Sequence, residues 1–487
     1  MTLTESELLA KVPTGLYING RWVQGSADTQ IDVEDPATGK TLLTIANATA
    51  DDGLRALAAA ADAQEKWAKT SPRERAEILR RTFEIVRARS EEFAMLISLE
   101  MGKPLAEARG EVTYGNEFVR WFSEEAGRIG GRFGTNPEGT GKMLITKRPV
   151  GPAFAITPWN FPLAMATRKI APAIAAGCTM VVKPAELTPL TTLFFVQALE
   201  EAGLPAGVIN VITTKSSAAT SAPIIADPRL RKITFTGSTQ VGVRLLEQAA
   251  KNVLRTSMEL GGNAPFLVFE DADIDATVTG AMLAKMRNIG QACTAANRFI
   301  VHDSVADDFA AHLADKMSSL NLGRGIADGT TCGPVINRAA QDNMQRLVDL
   351  TVSEGADVVT GGSTYGDEGY FFKPTVLANV PANASILREE IFGPIAPIVR
   401  FKTEEEAVRL ANDTQYGLVS YAFTQDLARS MRLVDSLESG MSGINTGLVS
   451  NAAAPFGGVK HSGLGREGGA EGIDEYLETR YVLIPNL

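Results

Sequence analysis

Residues 150–162 read Val-Gly-Pro-Ala-Phe-Ala-Ile-Thr-Pro-Trp-Asn-Phe-Pro, an apolar run that ends in a polar turn between two prolines. A short apolar run bounded by turn residues predicts a buried strand. Four more candidate strands follow before residue 261, with helical segments between them. This alternation predicts an α/β fold whose parallel sheet is covered by helices on both faces and binds ligands at the carboxyl ends of its strands. The five predicted strands are residues 150–157, 179–183, 208–212, 232–235 and 256–260.

The segments on either side extend this architecture. The first 50 residues predict short strands and turns, and two helices follow, the first over residues 52–70. The second begins at Ser71-Pro72-Arg73-Glu74, which combines a capping box with proline in the first turn. Residues 264–445 predict a second α/β series. Residues 127–146 are rich in glycine and polar residues and predict an excursion from the core.

The composition argues against several classes of protein. The 487 residues include 47 Lys and Arg against 57 Asp and Glu, a net charge of −10, whereas a general nucleic-acid binder presents a basic face. Three distant cysteines and only three histidines argue against a disulfide scaffold and a zinc site. The weakly polar stretch 170–182 is shorter than the roughly 20 residues of a membrane span, and the acidic start does not resemble a secretory signal. We therefore expect a soluble cytoplasmic protein without a metal, nucleic-acid or membrane partner.

Cys293 is the first candidate catalytic residue. A lone cysteine is usually a small buried apolar residue, and Cys178, just before a predicted strand, fits that interpretation. Cys293 instead lies among Gly, Gln, Thr and Asn, a setting that suits an accessible nucleophilic thiol. We find no chemical partner for Cys332. An activated thiol at Cys293 would distinguish a catalyst from an inert homologue, whose cysteine pKa should stay near about 8.5.

Two further residues suit the chemistry of a thiol that forms an acyl intermediate. Glu259 ends a predicted strand before Leu260-Gly-Gly262, where a flexible turn can bring a general base into a cleft. Asn160 lies between Pro158 and Pro162, where a stiff loop can hold an amide as an oxyanion donor. A solvated strand-end carboxylate and an Asx turn remain the alternatives.

Signals for phosphate and ribose binding are mixed. Residues 237–242 read Gly-Ser-Thr-Gln-Val-Gly between a strand and a helix, a place where free N–H groups bind anions. Lys183 and Glu186 follow the second strand and can bind ribose hydroxyls or form a surface pair. The Gly-x-Gly-x-x-Gly at 463–468 follows no predicted strand, so we reject it as a dinucleotide fingerprint.

Taken together, these segments resemble the aldehyde dehydrogenase superfamily. Seven motifs occur in the family's order and span nearly the whole chain, which makes the resemblance specific although each motif alone is weak. The motifs are Pro158-Trp-Asn-Phe-Pro162, Lys183-Pro-Ala-Glu186, Phe235-Thr-Gly-Ser238, Glu259-Leu-Gly-Gly262, Gly290-Gln-Ala-Cys293, Glu390-Ile-Phe-Gly-Pro394 and Pro455-Phe-Gly-Gly458.

The resemblance implies a role for each matched residue. Cys293 would be the nucleophile, Asn160 and the Cys293 N–H the oxyanion hole, and Glu259 the base that hydrolyses the thioester. The residues that would bind the cofactor are Trp159, Lys183, Glu186, Gly237, Ser238, Gly242, Leu260, Glu390 and Phe392.

The resemblance also implies a Rossmann-like cofactor domain, an α/β catalytic domain and a small β arm that joins copies into a homodimer or homotetramer. The implied segments are 1–126 and 147–258 for the NAD(P)-binding domain, 259–449 for the catalytic domain, 127–146 and 466–487 for the arm, and 450–465 for a loop at the substrate site.

Within the superfamily the chain is most similar to succinate-semialdehyde dehydrogenases. That group binds the substrate carboxylate through two arginines and a serine, which Arg168, Arg287 and Ser450 match. Arginine also suits the task physically, because its planar donors pair with a carboxylate in a bidentate manner. An ordinary salt bridge is the alternative for each arginine. Several members carry a second cysteine two residues after the nucleophile; Ala295 stands there, so we predict no disulfide switch at this place.

The expected cofactor is NAD, with NADP possible, because Glu186 would accept hydrogen bonds from a ribose 2′-hydroxyl and repel a 2′-phosphate. The expected reaction is the oxidation of succinate semialdehyde to succinate. Another ω-carboxy aldehyde, such as glutarate semialdehyde, is an alternative. A CoA-acylating enzyme would lack the deacylating Glu259, and a non-catalytic homologue is disfavoured by the intact set of Cys293, Glu259 and Asn160.

Overall fold

The computed structural model describes residues 4–486; residues 1–3 and 487, at the outer ends of the predicted first and last segments, lie outside it. Its strands fall into two large sheets and three small ones. The strands are β1 Leu16–Ile18, β2 Arg21–Val23, β3 Ile31–Asp35, β4 Lys40–Ile45, β5 Arg132–Thr135, β6 Gly141–Pro149, β7 Ala153–Ile156, β8 Met180–Lys183, β9 Ile209–Val211, β10 Lys232–Thr236, β11 Arg255–Glu259, β12 Ala264–Val268, β13 Ala296–His302, β14 Asp357–Thr360, β15 Thr375–Ala378, β16 Ile395–Phe401, β17 Tyr416–Gly417, β18 Val419–Phe423, β19 Met441–Ile444, β20 Val459–Lys460, β21 Gly463–Leu464 and β22 Leu477–Pro485.

Helices cover both large sheets. Short 3₁₀ segments occur at Ala126–Arg128, Arg287–Gly290 and Ser385–Leu387. The α-helices are α1 Glu5–Leu9, α2 Ala50–Lys69, α3 Pro72–Ala88, α4 Ser90–Met101, α5 Leu105–Glu125, α6 Ala164–Ala176, α7 Leu190–Glu201, α8 Ser217–Ala226, α9 Thr239–Ala250, α10 Ile274–Met286, α11 Ala306–Ser318, α12 Arg338–Ser353, α13 Glu404–Asn412, α14 Leu427–Ser436 and α15 Glu471–Asp474.

The first large sheet has the order β2-β1-β9-β8-β7-β10-β11-β21. Strands β9, β8, β7, β10 and β11 are parallel, whereas β1 and β21 pair with its two ends in the antiparallel sense. Successive residues of β7 point into different cores: Ala153 and Ala155 pack with α3 to α7, and Phe154 and Ile156 with α2, α8 and α9. The predicted parallel sheet with helices on both faces is thus confirmed.

The observed strands differ from the predicted ones mainly at their ends. The strand predicted over 150–157 is shorter, because Gly151 adopts φ +118° and Pro152 has no N–H to donate. Helix α3 begins as its capping pattern predicts, with the Ser71 hydroxyl accepting the N–H of Glu74 at 3.2 Å. Buried Leu79 and Val86 form its core face.

The second large sheet has the order β14-β15-β16-β13-β12-β18-β19 and is parallel except at β14. Two buried clusters cover its faces. Only four residues separate the end of β11 at Glu259 from the start of β12 at Ala264. The carboxyl end of β11 in the first sheet therefore lies close to the start of β12 in the second.

A three-stranded antiparallel sheet, β22-β6-β5, extends from the first sheet's side of the molecule. Strand β6 continues to Pro149, past the expected boundary at 146, because Pro149 lies opposite Leu477 in the register. The division of the chain into domains stays a prediction. Within residues 4–486, no helix combines the length and apolar character that a transmembrane span requires.

Candidate active site

A cavity of about 680 Å³, counted with its open mouth, lies at the carboxyl ends of β7, β10 and β11. It brings together eight residues that the sequence analysis singled out, together with four neighbours. Its lining consists of Pro158, Trp159, Asn160, Met165, Thr236, Gly237, Ser238, Leu260, Gly261, Cys293, Glu390 and Phe392.

The loop that carries Cys293 has an unusual backbone. Asn288 and Ile289 both adopt left-handed conformations, with φ of 57°, and Gly290 follows at 72°. A β-branched residue in this region is strained, and such strain persists only where the surroundings impose it. A Cβ at Gly290 would collide with the carbonyl oxygen of Gly393, so this glycine allows a close approach of two backbones.

Asn160 is joined to the cysteine loop by its side chain and its backbone. Its Nδ2 donates to the Gln291 carbonyl at 3.0 Å, and its own carbonyl accepts from Asn288 Nδ2 at 3.0 Å. An amide has two N–H donors. Among residues 4–486 the second N–H of Asn160 has no protein acceptor, which leaves it available to an oxyanion.

A buried polar frame behind this loop escaped the sequence analysis. Lys103 Nζ donates to the Asn160 carbonyl at 2.9 Å and pairs with Glu111 at 2.5 Å. Glu107 accepts the N–H of Asn288 at 2.5 Å. The only signal in the sequence was the spacing of charges along residues 103–111, which is equally typical of a solvated helix face.

The Cys293 residue is half-buried. Burial raises the pKa of its thiol to about 12; the charge of Arg168 lowers the pKa, and Glu390 and Glu259 raise it. An activated thiol in the enzyme with substrate and cofactor bound stays a prediction.

Glu259, the predicted general base, is the last residue of β11. Burial and the charge of Glu467 raise its pKa well above the usual carboxyl range, against the opposing charges of Arg168 and Lys169. Its Oε2 is buried and has no protein partner among residues 4–486. A Cβ at Gly457 would lie 2.9 Å from the other oxygen, Oε1, so glycine is required there.

Glu467 is a second residue that the sequence analysis missed. It is buried, forms an ion pair with Lys169, and has its Oε2 2.7 Å from Arg168 Nη2. Burial raises its pKa, but the charges of Arg168 and Lys169 outweigh this effect and the net pKa is lowered. Lys169 also donates to the hydroxyl of Thr236, a cavity residue, at 2.7 Å.

The two predicted substrate arginines differ in their surroundings. The Arg168 guanidinium is buried and lies over the ring of Phe456 at 3.9 Å from its centre, in addition to its contact with Glu467. That contact is not aligned as a hydrogen bond, so Nε and Nη2 of Arg168 keep unused donors. Arg287 is half-buried, lies 5.1 Å from the ring centre of Phe161, and has no acidic partner within 4 Å among residues 4–486. Both charges lower the pKa of Cys293.

Ser450 does not line the main cavity. It belongs to an outer recess that also includes Tyr114, Trp121 and Arg120. Tyr114 packs against an apolar cluster that contains Ala292, the residue before Cys293. The recess therefore shares Tyr114 with the apolar cluster that borders Cys293.

The other predicted cofactor residues surround the main cavity. Ser238 is the N-cap of α9, and its side chain leaves the first N–H groups of the helix free. Glu390 accepts the N–H of Gly262 at 3.2 Å, and burial raises its pKa to about 7. The rings of Trp159 and Phe392 meet edge to face at 5.4 Å between centres.

Three predicted cofactor residues lie outside the cavity lining. Lys183 is buried at the end of β8 and donates to the Pro184 carbonyl at 3.1 Å. Glu186 is exposed and accepts a weak hydrogen bond of 3.4 Å from Ser217. Gly242 packs against Leu260, where a Cβ would collide with the leucine side chain.

This donor set fits a dinucleotide. Free N–H groups at a helix start suit a pyrophosphate, carboxylates suit ribose hydroxyls, and an aromatic edge suits a nicotinamide ring.

The model of the aldehyde dehydrogenase family matches residues 22–482. The chain belongs to the aldehyde dehydrogenase family. The family predicted from the seven motifs is thus confirmed, and with it the fold class and the assignment to the oxidoreductases.

Relatives of this aldehyde dehydrogenase carry related names. It is 60% identical over 441 residues to a succinate-semialdehyde dehydrogenase of Paenarthrobacter nicotinovorans, covering 91% of this chain and 98% of the relative. It is 46% identical over 468 residues to a glutarate-semialdehyde dehydrogenase of Pseudomonas putida, covering 96% and 97%. It is 46% identical over 484 residues to the NADP-dependent succinate-semialdehyde dehydrogenase GabD of Escherichia coli, covering 99% and 100%.

A solved aldehyde dehydrogenase structure is also similar to this chain. The betaine aldehyde dehydrogenase of Staphylococcus aureus, in complex with NAD⁺, superposes with a TM-score of 0.95 at 35% identity, covering 99% of this chain and 97% of that one.

Proposed function

We propose that this aldehyde dehydrogenase oxidises succinate semialdehyde to succinate with NAD(P)⁺. The observation that carries the proposal is Arg287, a half-buried guanidinium close enough to Cys293 to lower the thiol pKa. Its charge also lowers the pKa of buried Glu107, but no acidic side chain in residues 4–486 lies within 4 Å of it. Its donors are therefore free to pair directly with a carboxylate supplied by the substrate. The two named succinate-semialdehyde dehydrogenases among the relatives support the same substrate.

The first chemical step is addition of the Cys293 thiol to the aldehyde carbon. The carbonyl oxygen becomes negative as the carbon–sulfur bond forms, and the free N–H of Asn160 and the Cys293 N–H stabilise it. The thiol proton leaves to water in the cavity, so the Glu259 carboxylate stays available as the base for the later hydrolysis. The product is a thiohemiacetal on Cys293.

When bound, NAD(P)⁺ would supply the hydride acceptor for the oxidation of the thiohemiacetal on Cys293 to a thioester. Glu390, Trp159 and Phe392 lie around the place where the nicotinamide end would bind. Glu259 then takes a proton from water, the resulting hydroxide attacks the thioester, and succinate and the Cys293 thiol leave. In total one aldehyde, one NAD(P)⁺ and one water give one carboxylate, one NAD(P)H and two protons.

Arg168 would take part in substrate binding only by sharing its charge between Glu467 and the substrate. Its unused Nε and Nη2 donors support this role, and the buried contact with Glu467 would keep the guanidinium in place between turnovers. Ser450 would contact the substrate from the outer recess.

The expected preference for NAD over NADP stays a proposal. The exposed Glu186 carboxylate supports NAD because it would repel a 2′-phosphate. Lys215, exposed in the neighbouring loop, and the NADP-dependent relative of Escherichia coli favour the other cofactor. Measuring kcat/KM with NAD⁺ and with NADP⁺ decides which cofactor the enzyme prefers.

Self-association through the β arm is also part of the proposal. Exposed apolar side chains lie on the arm at Phe133, Tyr481 and Leu483, of which Phe133 is 66% exposed. The register places Phe133 on one face of the arm and Tyr481 and Leu483 on the other, and exposed apolar side chains of this kind favour an interface. A homodimer or homotetramer would cover it.

Glutarate semialdehyde is the second candidate substrate, because a glutarate-semialdehyde dehydrogenase is similar over nearly the whole chain. A CoA-acylating reaction is disfavoured by Glu259, and a non-catalytic role by the joined Asn160 and Cys293 loop.

The test is the value of kcat/KM for succinate semialdehyde, glutarate semialdehyde and butanal, with NAD⁺ and NADP⁺ each in excess. We expect succinate semialdehyde to exceed butanal by at least about tenfold, roughly 1.4 kcal/mol. The Cys293→Ala variant, which should bind cofactor without turnover, is the control. Equal values for the two four-carbon aldehydes would contradict the proposal.

A further inference from the structure

Tyr114 is a half-buried side chain with a buried hydroxyl and no role in the chemistry described above. It lies on α5, and its ring meets Phe118, one turn later, edge to face at 5.0 Å between centres. Its hydroxyl is buried and has no hydrogen-bond partner among residues 4–486. A buried donor left unpaired costs free energy, so its persistence calls for a partner that is present only during function.

The surroundings of Tyr114 indicate which partner this is. Phe118, its ring partner, also lies under the Arg168 guanidinium, which is 5.6 Å from the centre of the Phe118 ring. The tyrosine lines the outer recess with Ser450 and packs against the cluster that contains Ala292. Its hydroxyl, like Nε of Arg168, is a buried donor without an acceptor among residues 4–486. Donors of this kind beside a cation suit an anion.

We propose that Tyr114 is a specificity-determining residue whose hydroxyl donates a hydrogen bond to the distal carboxylate of the substrate. This inference rests on the proposed function, because it requires a carboxylated aldehyde. A carboxylate has about four lone-pair positions, enough to accept from Arg168, Arg287, Ser450 and Tyr114 together. Binding then satisfies donors that the free protein leaves unpaired.

The test compares the wild type with Tyr114→Phe, which removes only the hydroxyl. The measured quantity is the ratio of kcat/KM for succinate semialdehyde to that for butanal, and we expect the variant to lower it about tenfold. Tyr17→Phe, a buried tyrosine on the distant strand β1, is the matched control and should keep the wild-type ratio. If glutarate semialdehyde proves the better substrate, it replaces succinate semialdehyde in the ratio.

A binding and stability measurement accompanies the kinetics. Because the hydroxyl has no partner in the free protein, Tyr114→Phe should leave Tm unchanged or raise it, whereas the rise of Tm with added succinate should shrink relative to the wild type. A ratio within twofold of the wild type, or a lower Tm without ligand, would overturn the proposal. A wild-type ratio near one would instead refute the proposed function, so the two failures are distinguishable.

Discussion

Asn160 Nδ2 donates a hydrogen bond of 3.0 Å to the carbonyl oxygen of Gln291, two residues before Cys293. This bond ties the loop after β7 to the loop before β13, which belong to different sheets. The bond fixes the orientation of the Asn160 amide. Its second N–H has no protein acceptor among residues 4–486 and remains available to an oxyanion. The predicted oxyanion donor and the loop of the predicted nucleophile are therefore joined by one contact.

Replacing Asn160 by alanine removes both the donor and the contact. We expect kcat to fall by about 10²- to 10³-fold, the usual cost of one oxyanion donor, with a smaller change in KM. Steady-state kinetics with the proposed substrate measures this. A fall confined to KM would show that Asn160 binds the ground state rather than the oxyanion.

Replacing Glu259 by glutamine separates acylation from hydrolysis. We expect a first burst of reduced cofactor followed by slow steady turnover, because water then lacks its base. Stopped-flow absorbance of the cofactor measures both phases. Equal losses in the burst and the steady rate would mean that Glu259 acts chiefly on the thiol.

The pH dependence of the wild type provides a separate prediction about Glu259. Only the ionised carboxylate accepts a proton, and its pKa is raised by burial and Glu467, so kcat should increase with pH above the ordinary carboxyl range. The Glu259→Gln variant should lack this limb. A wild-type kcat that is flat from pH 5 to 8 would contradict the raised pKa.

Glu467 should contribute strongly to stability, because it balances two buried cations. Glu467→Gln leaves Arg168 and Lys169 without their common anion and should lower the free energy of unfolding by about 3–5 kcal/mol. Denaturant unfolding measures the loss, with the exposed Glu471→Gln as a control expected within about 0.5 kcal/mol of the wild type.

The sign of the pH effect at Glu467 follows from its lowered pKa. Its contribution is present above the unfolded carboxyl value of about 4.3 and is lost as pH falls through the lower folded value. The stability difference between the wild type and Glu467→Gln should therefore shrink in acid. A difference that grows as pH falls would exclude the ion-pair account.

The cofactor preference depends on one exposed carboxylate. Glu186→Gln should raise kcat/KM with NADP⁺ about fivefold, because it removes a screened repulsion from the 2′-phosphate, while NAD⁺ changes less. Initial rates with both cofactors measure the shift. If wild-type kcat/KM is already higher with NADP⁺ and Glu186→Gln leaves it so, the preference for NAD is refuted.

The sequence predicted the fold well where local patterns decide it. The strands before Asn160, Lys183 and Ser238 were visible as short apolar runs, and the ends of these strands gave the position of the site. The motifs around Cys293 and Glu259 provided the predicted nucleophile and base, because these roles need particular neighbours in the chain. These features depend on residues close together in sequence.

The partners of charged residues could not be predicted in the same way. Glu467 meets Lys169 across nearly 300 residues, and Lys103 donates to the Asn160 carbonyl from the turn between α4 and α5, which carries no motif. Such pairs arise from tertiary packing, and one sequence contains no signal for them. The same limit applies to the Cys293 pKa, because a local sequence of small polar residues does not show how deeply the thiol is buried.

The most direct test of the account concerns the charge of Arg287. The measurement is the ratio of kcat/KM for succinate semialdehyde to that for butanal in the wild type, in Arg287→Gln and in the exposed control Arg229→Gln. The account predicts that Arg287→Gln lowers this ratio at least tenfold while the control keeps it. An unchanged ratio in Arg287→Gln would contradict selection of a carboxylated aldehyde by this arginine, although the cysteine chemistry of the family would remain.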